Sequence, residues 1–359
     1  MKKLQFKPIL MMALAALSFT ACKKDSAPAP IVKPVVNDGA ALAKVLRSAA
    51  PQFETFTVNA GTGGTVTTVK GTRFRFPANA FVRKDGSPVS GTVMVSVKEI
   101  QDVSAMILAD KPTVTASGDM LVSYGEFFVK AEQGEDQLQL AKDSAAVVQV
   151  PFRPAAGAIK EIPMWEGDST ITTTVNGYNY QNNPVTITKT YYQSPGVDWT
   201  QLPQYAFFNS TDGTLDFKLY DLMSWLNCDA LYNLPGTKTT VMGYFSNHFN
   251  EATGDDYSGE APSMLYFKPK GSNTVVKFYN VIMSSPVGYQ GFHSYQTSIP
   301  AGLEGTFLAM SSVDGKFYAQ QKDVVIGNPG SASYTSVSFA LEEVSASALL
   351  NLIDQMKTK

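Results

Sequence analysis

GTGGTVTTVKGTRFRFPANAF, residues 61–81, contains two short runs in which apolar and polar residues alternate, opened by Gly63-Gly64 and separated by Lys70-Gly71. Within TRFRF (72–76), Phe74 and Phe76 stand two positions apart, the spacing at which side chains share one face of a β-strand. Pro77 then stops the ladder, because it has no N–H to donate. The same pattern recurs along the chain in TVMVSV (92–97), QLQL (137–140), VTITKTY (185–191), TLDFKLY (214–220) and YTSVSFAL (334–341). Turn signals separate these runs, among them Lys84-Asp85-Gly86, Asp212-Gly213, Asp314-Gly315 and Asn328-Pro329-Gly330. Many short strands without intervening helical segments predict an all-β protein built of sandwiches rather than a parallel α/β sheet. Only the ends carry a helical pattern. Asp38 is placed to cap a first helix running through Arg47, and Ser345 or Ser347 a last one, in which Leu349, Leu352, Ile353 and Met356 form a single apolar stripe.

On Gly63-Gly64, Val66, Gly71, Phe74, Phe76, Pro77 and Phe81, followed by the strand at 92–100, the chain resembles the opening of a ZU5 domain. ZU5 domains are β-sandwich modules of cytoskeletal adaptors, receptor tails and bacterial surface proteins, and the resemblance reaches to near Val150. Some ZU5-containing proteins cleave themselves at His-Phe-Ser; here His248-Phe249 is followed by Asn250, which has no hydroxyl or thiol to attack with, so self-cleavage is not expected. MSWLNCDALY (223–232) resembles a Trp-Ile-Asn-Cys-Asp stretch of secreted bacterial lipoproteins of this layout, with Leu226 in place of Ile, and implies no activity.

The lipoprotein reading rests on the N-terminus. Lys2, Lys3 and Lys7 precede an apolar run from Ile9 to Leu17 and the small residues Ser18, Thr20 and Ala21, the organisation of a secretion signal. The run is shorter than the about 20 residues a membrane-spanning helix needs, and Cys22-Lys23-Lys24 follows it at once. Phe-Thr-Ala-Cys (19–22) resembles a lipobox, which implies cleavage before Cys22 and acylation of that cysteine, palmitate among its chains. Several acyl chains, at about 0.8 kcal/mol per buried CH₂, hold a protein on a membrane almost permanently. The following KKDSAPAPIVKPVV (23–36) has no periodic apolar face and reads as a Pro-stiffened tether, reaching on the order of 40 Å if extended. The expected location is the outer membrane, on its periplasmic face or at the cell surface.

Cleavage before Cys22 removes three lysines and no acid, leaving 26 basic against 31 acidic residues, a net charge of −5. That balance, without clustered Lys or Arg, argues against a nucleic-acid partner. With Cys22 acylated, Cys228 has no intrachain disulfide partner. Cys228 with His248 or His293 as base would be an adequate nucleophile pair, but free cysteines are among the most buried residues, so Trp225, Cys228 and Leu231 are expected in the core. Two histidines 45 residues apart lack zinc-ligand spacing, and no metal or cofactor is expected. Asp255, Asp256 and Glu260 are weak calcium candidates that read better as a solvated acidic loop.

The chain therefore divides into a signal peptide (1–21), a lipidated cysteine, tether and short helix (22–51), a ZU5-like sandwich (52–152), a Thr/Tyr/Asn-rich hairpin region (153–204) and a second β domain with a C-terminal helix (205–359). In the hairpin region Tyr178, Tyr180, Tyr191, Tyr192 and Trp199, flanked by amides, offer rigid rings with polar tips for a glycan or an envelope protein. With no convergent acid, base and nucleophile set, the expectation is a non-catalytic binding or adhesion module anchored through Cys22. A structural or assembly component of the envelope is the alternative, and a surface hydrolase a further one.

Overall fold

A computed structural model describes residues 36–152, 161–168, 170–178, 184–192, 198–255 and 260–359. Strands hold 51% of the chain and helices 14%, so the protein is all-β, with several sheets and few short helices. The described residues belong to one compact unit that begins at Val35.

Helix α1 (Gly39–Ala49) leads into β1 (Glu54–Asn59), β2 (Gly64–Thr67), β3 (Arg73–Phe76), β4 (Phe81–Arg83) and β5 (Thr92–Ile100). A second helix, α2 (Val103–Ala109), precedes β6 (Leu121–Gln133), β7 (Asp136–Leu140), β8 (Ala146–Pro151) and β9 (Glu161–Asp168). The hairpin β10 (Thr170–Tyr178) and β11 (Pro184–Tyr192) follows, then β12 (Asp198–Asn209), β13 (Thr214–Leu219) and β14 (Trp225–Leu231). These strands, the hairpin aside, form one antiparallel sheet in the order β1-β5-β6-β14-β9-β12-β13-β8-β3-β2, with β4 and β7 paired beside β6. Its ends meet at a bridge between Asn59 and Gly63, closing the layers around Phe74, Phe76, Phe81, Phe127 and Phe217. Phe74 and Phe76 do share the inner face, at 0% and 1% exposure, as their spacing predicts.

Gly63 shows why glycine opens this segment. Its φ of +73° lies in the left-handed region, and a Cβ there would sit 2.3 Å from the Phe76 carbonyl oxygen.

The remaining strands build the second body. They are β15 (Lys238–Phe245), β16 (Ser263–Pro269), β17 (Val276–Lys277), β18 (Asn280–Val281), β19 (Gln290–His293) and β20 (Ile299–Pro300). After them come β21 (Glu304–Val313), β22 (Lys316–Val325), β23 (Tyr334–Phe339), β24 (Glu342–Val344) and helix α3 (Ala346–Gln355). One five-stranded sheet runs β18-β19-β15-β20, with β23 parallel to β15; the other runs β17-β16-β21-β22-β24. Leu265, Phe267 and Phe307 face Phe245, Phe292 and Phe339 of the first of these sheets. The alternate residues Met264, Tyr266 and Leu308 face the other way, onto Leu42, Met106, Leu349 and Ile353 of the three helices. Every residue of β16 is consequently buried, because both of its faces are covered.

Several sequence expectations change, among them that only the ends are helical, since α2 lies between β5 and β6. The boundary expected at residue 205 falls inside β12, and β12, β13 and β14 hydrogen-bond into the first sheet, so residues up to Leu231 belong with it and the second body starts at β15. Leu231, expected in the core, is 52% exposed at the end of β14. The terminal helices sit where expected, and Ser345 caps α3 by accepting from the Ala348 amide at 3.1 Å. Asp38 holds the cap position of α1, but it is Asn37 that accepts from the Gly39 amide, while the Asp38 carboxylate takes the Gly315 N–H.

Gly63→Ala is expected to destabilise the protein by about 1–3 kcal/mol, since the added methyl meets backbone in a strained φ region. A denaturant melt against wild type measures it; an unchanged midpoint would contradict the closure at Asn59–Gly63.

Candidate functional site

Three places bring chemically useful side chains together. The first is an open groove of about 610 Å³ between the end of the first sheet and the helices. Its floor is Glu99, the last inward residue of the run Val93, Val95, Val97, Glu99 on β5. Glu99 is 4% exposed and accepts hydrogen bonds from Thr68 Oγ1 (2.6 Å), Thr72 Oγ1 (2.5 Å) and Gln101 Nε2 (2.6 Å). Burial pushes its carboxyl above the usual range, and the two threonine hydroxyls pull it back. Around it stand Asp102, which caps α2 by accepting from the Ala105 amide (2.9 Å), Glu54, which accepts from the Val69 amide (2.9 Å), and the ion pair of Asp354 on α3 with Lys357 in the turn after it. At the rim Phe53 is 40% exposed, with Lys98 Nζ 4.6 Å and Lys130 Nζ 5.5 Å from the ring centre and Phe128 edge-on at 6.0 Å. A fixed aromatic face beside a hydrogen-bonded carboxylate is suited to a polyhydroxylated ligand, which presents C–H faces to the ring and O–H groups to the acid.

The second is a buried seam between the two bodies. Segment 110–123 is stitched to the second body by Thr113 N–H to Val275 O (2.9 Å), Ser123 N–H to Asn273 O (3.0 Å) and Asn273 Nδ2 to the Gln101 and Ser123 carbonyls. In it Lys277 Nζ lies 2.5 Å from Asp110 Oδ2, and the Tyr266 hydroxyl donates to Asp110 Oδ1 at 2.6 Å. Lys111, 5% exposed, stacks its ammonium 5.0 Å from the Trp225 ring; burial lowers it to about 8. Behind it lie Glu126 and Asp229, both 0% exposed. Burial raises Asp229 to about 8 even though Asn227 Nδ2 donates to it at 2.6 Å, and raises Glu126, whose two oxygens meet no donor, well above its ordinary value. Cys228 sits between Asn227 and Asp229 at a register shift of β14, 0% exposed, and burial followed by the Asp229 charge pushes its thiol far up. A thiol in that setting is a packed core group rather than a nucleophile.

The third is the hairpin. β10 and β11 pair over nine positions, from Thr170 opposite Tyr192 to Tyr178 opposite Pro184, and pair with no other strand among the described residues. The register gives Tyr178 and Tyr192 the same parity and Tyr191 the other, with Val185 and Ile187.

The residues singled out from sequence separate accordingly. Trp199 leaves the expected contact surface: it is 1% exposed, packs with Leu121 and Trp165, and donates its indole N–H to Pro112 O at 2.8 Å. Its ring packs the junction, and the aromatic-rich composition of its neighbours gave no hint of that. Tyr180 lies outside the described residues, as do Cys22 and Asp256. Glu260 pairs with Arg47 at 2.5 Å, and no group of three metal-ligating side chains occurs among the described residues. His293 is buried, its Nδ1 2.8 Å from Ser294 O, and burial lowers it; His248 stacks on Tyr318 at 3.8 Å. Neither histidine is at Cys228. Phe53 and Glu99 were not anticipated, although an acid at the inward parity of β5 was a readable signal for the latter. No family model and no curated protein matches the chain.

The Asp229 shift predicts a pH dependence. Its folded value lies above its unfolded one, so the stability it allows is full below about pH 4 and is lost as pH rises through about 8. Glu126 acts in the same direction, whereas Lys111, lowered to about 8, acts with opposite sign only above that pH. Unfolding free energy is therefore expected to fall between pH 5 and 8, and to fall less in Asp229→Asn, by a few kcal/mol at most. Parallel profiles for the two proteins would refute it. Cys228 is expected to react with a bulky thiol reagent only in denaturant.

Proposed function

We propose that this protein is a lipid-anchored component of the bacterial outer membrane whose β body is a non-catalytic module binding a glycan in the groove at Phe53 and Glu99. The anchoring half of the reading is supported by the sequence at Cys22 and by the Pro-rich tether after it. The binding half is supported chiefly by one observation, the exposed Phe53 ring at the rim of a groove floored by a hydrogen-bonded carboxylate. The acids there already have roles: Glu99 is held by three donors, Asp102 caps a helix, and Asp354 pairs with a lysine. Acids occupied in this way grip hydroxyls better than they transfer protons. The alternative of a structural or assembly role draws on the β10–β11 hairpin, whose outer edges pair with no strand among the described residues.

Two measurements test this. Cys22→Ser, expressed in a lipoprotein-processing host with labelled fatty acid, is expected to lose the label; equal labelling would end the anchoring reading. On a glycan array wild type is expected to retain a ligand that Phe53→Ala binds about tenfold more weakly, at unchanged melting temperature. Retention of no glycan by wild type, or equal retention by the variant, would refute the groove.

A further inference from the structure

The contact between Asp110 and Lys277 differs from every other ion pair among the described residues. Its side chains are 5% and 8% exposed, whereas in the others both partners are at least 28% exposed. Exposed pairs are hydrated and exchange partners; this one is held. Asp110 ends α2 in the left-handed conformation, φ 50° and ψ 53°, fixed by its own N–H to Ile107 O and by Lys111 N–H to Met106 O. Lys277 is fixed in β17, where it pairs with Tyr266 of β16. Between these two rigid supports the amine and carboxyl meet, Nζ to Oδ2 at 2.5 Å.

Their surroundings are aromatic. Lys277 Nζ lies 4.9 Å from the Tyr279 ring centre and 5.8 Å from that of Tyr266; Tyr266 is buried and Tyr279 half-buried. The Tyr266 hydroxyl donates to Asp110 Oδ1 at 2.6 Å, and the Tyr279 hydroxyl, also buried, has no partner. The arrangement supplies what condensation of an amine with an acid needs. Held reactants gain an effective concentration of about 10⁵–10⁸ M. A donor on Oδ1 stabilises the oxyanion that develops there.

We propose that Lys277 and Asp110 join in an intramolecular isopeptide bond. One ammonium proton passes from Nζ to Oδ2, leaving an amine and a carboxylic acid. The nitrogen lone pair attacks Asp110 Cγ, and negative charge collects on Oδ1 under the Tyr266 hydroxyl. A second proton moves from nitrogen to Oδ2, the Cγ–Oδ2 bond breaks, and one water leaves. Of the three ammonium protons, one stays on the amide nitrogen and two depart with the water, so no oxidant, cofactor or net proton is required. Tyr279, with its free hydroxyl, is the group placed to receive that water. The bond ties residues 167 positions apart across the seam between the two bodies.

The full chain, purified and digested with trypsin under denaturing conditions, decides the matter, because trypsin does not cut after an acylated lysine. The expected product is a branched peptide joining residues 99–130 to residues 271–316, one water lighter than the sum of the two linear pieces. Complete recovery of the linear peptide 271–277 instead would overturn the proposal. Lys277→Arg keeps the ion pair without an amine nucleophile and is expected to give no branched peptide; a branched product in that variant would show that another lysine supplies the bond. Tyr266→Phe is expected to form the bond several-fold more slowly after refolding, and an equal rate would remove Tyr266 from the step.

Discussion

The meeting of Asp110 and Lys277 is the constraint on which the arrangement of the two bodies rests. Taking a carboxylate and an ammonium out of water costs several kcal/mol each, and only close contact with further hydrogen bonds offsets it. The Tyr266 hydroxyl supplies one such bond. Neither partner can be withdrawn without stranding the other in an apolar interior, so the seam forms in one register or not at all. That register also sets Thr113 against Val275 and Ser123 against Asn273, and through them the approach of β6 to β16 and β17. The covering of β16 on both faces follows, since α2, which ends at Asp110, lies over the Tyr266 side while β15 and β23 lie over the other.

Polar groups serve in two ways in this molecule. At the groove Glu99 is satisfied by Thr68, Thr72 and Gln101, and its neighbours keep access to solvent. At the seam Glu126 lacks donors altogether, and Lys111 reaches only carbonyl oxygens at 3.4 and 3.5 Å. The first arrangement is stable in its own right. The second holds the raised carboxyls of Glu126 and Asp229 beside the lowered amine of Lys111, which makes the seam sensitive to pH. The two sites thus draw on the same residue types with opposite results, decided by access to water.

Much of this was legible in the sequence, and the limit is physical. Alternation and turn chemistry are local, so TRFRF, TVMVSV, TLDFKLY and YTSVSFAL each appear as strands, and Ser345 announces α3. Strand partners are not local. β14 inserts between β6 and β9, and β13 bonds to β8, and nothing in the spacing of residues 205–231 says that they return to the first sheet. The boundary at 205 failed for that reason. Trp199 failed for another: a tryptophan among tyrosines and amides has the composition of a contact surface, and only the arrival of Pro112 and Leu121 from elsewhere in the chain turns it inward. α2 is short and apolar, and its start is marked by Asp102 alone, whose capping role becomes visible once the Ala105 amide is placed.

Sheet edges complete the account. A strand edge without a partner invites pairing with another chain, and in the second body β22 pairs with β24 only through Ala319, leaving its later residues open toward β23. Side chains close part of that gap where backbone does not. Lys322 Nζ donates to the Ser338 carbonyl at 2.9 Å, and Gln320 Oε1 accepts from the Ala340 amide at 3.0 Å, so the two five-stranded sheets are pinned to each other across the opening. A lysine in that position also blunts the edge, because an incoming strand would have to displace its hydrogen bond and bury its charge. The protection is graded along the strand: it is complete at Lys322 and gone by Val325, which is 64% exposed. The seam and the edge therefore follow one rule. At each place a lysine reaching an oxygen adds to the connection between two elements, buried at Lys277 and exposed at Lys322, and burial sets how firmly each holds.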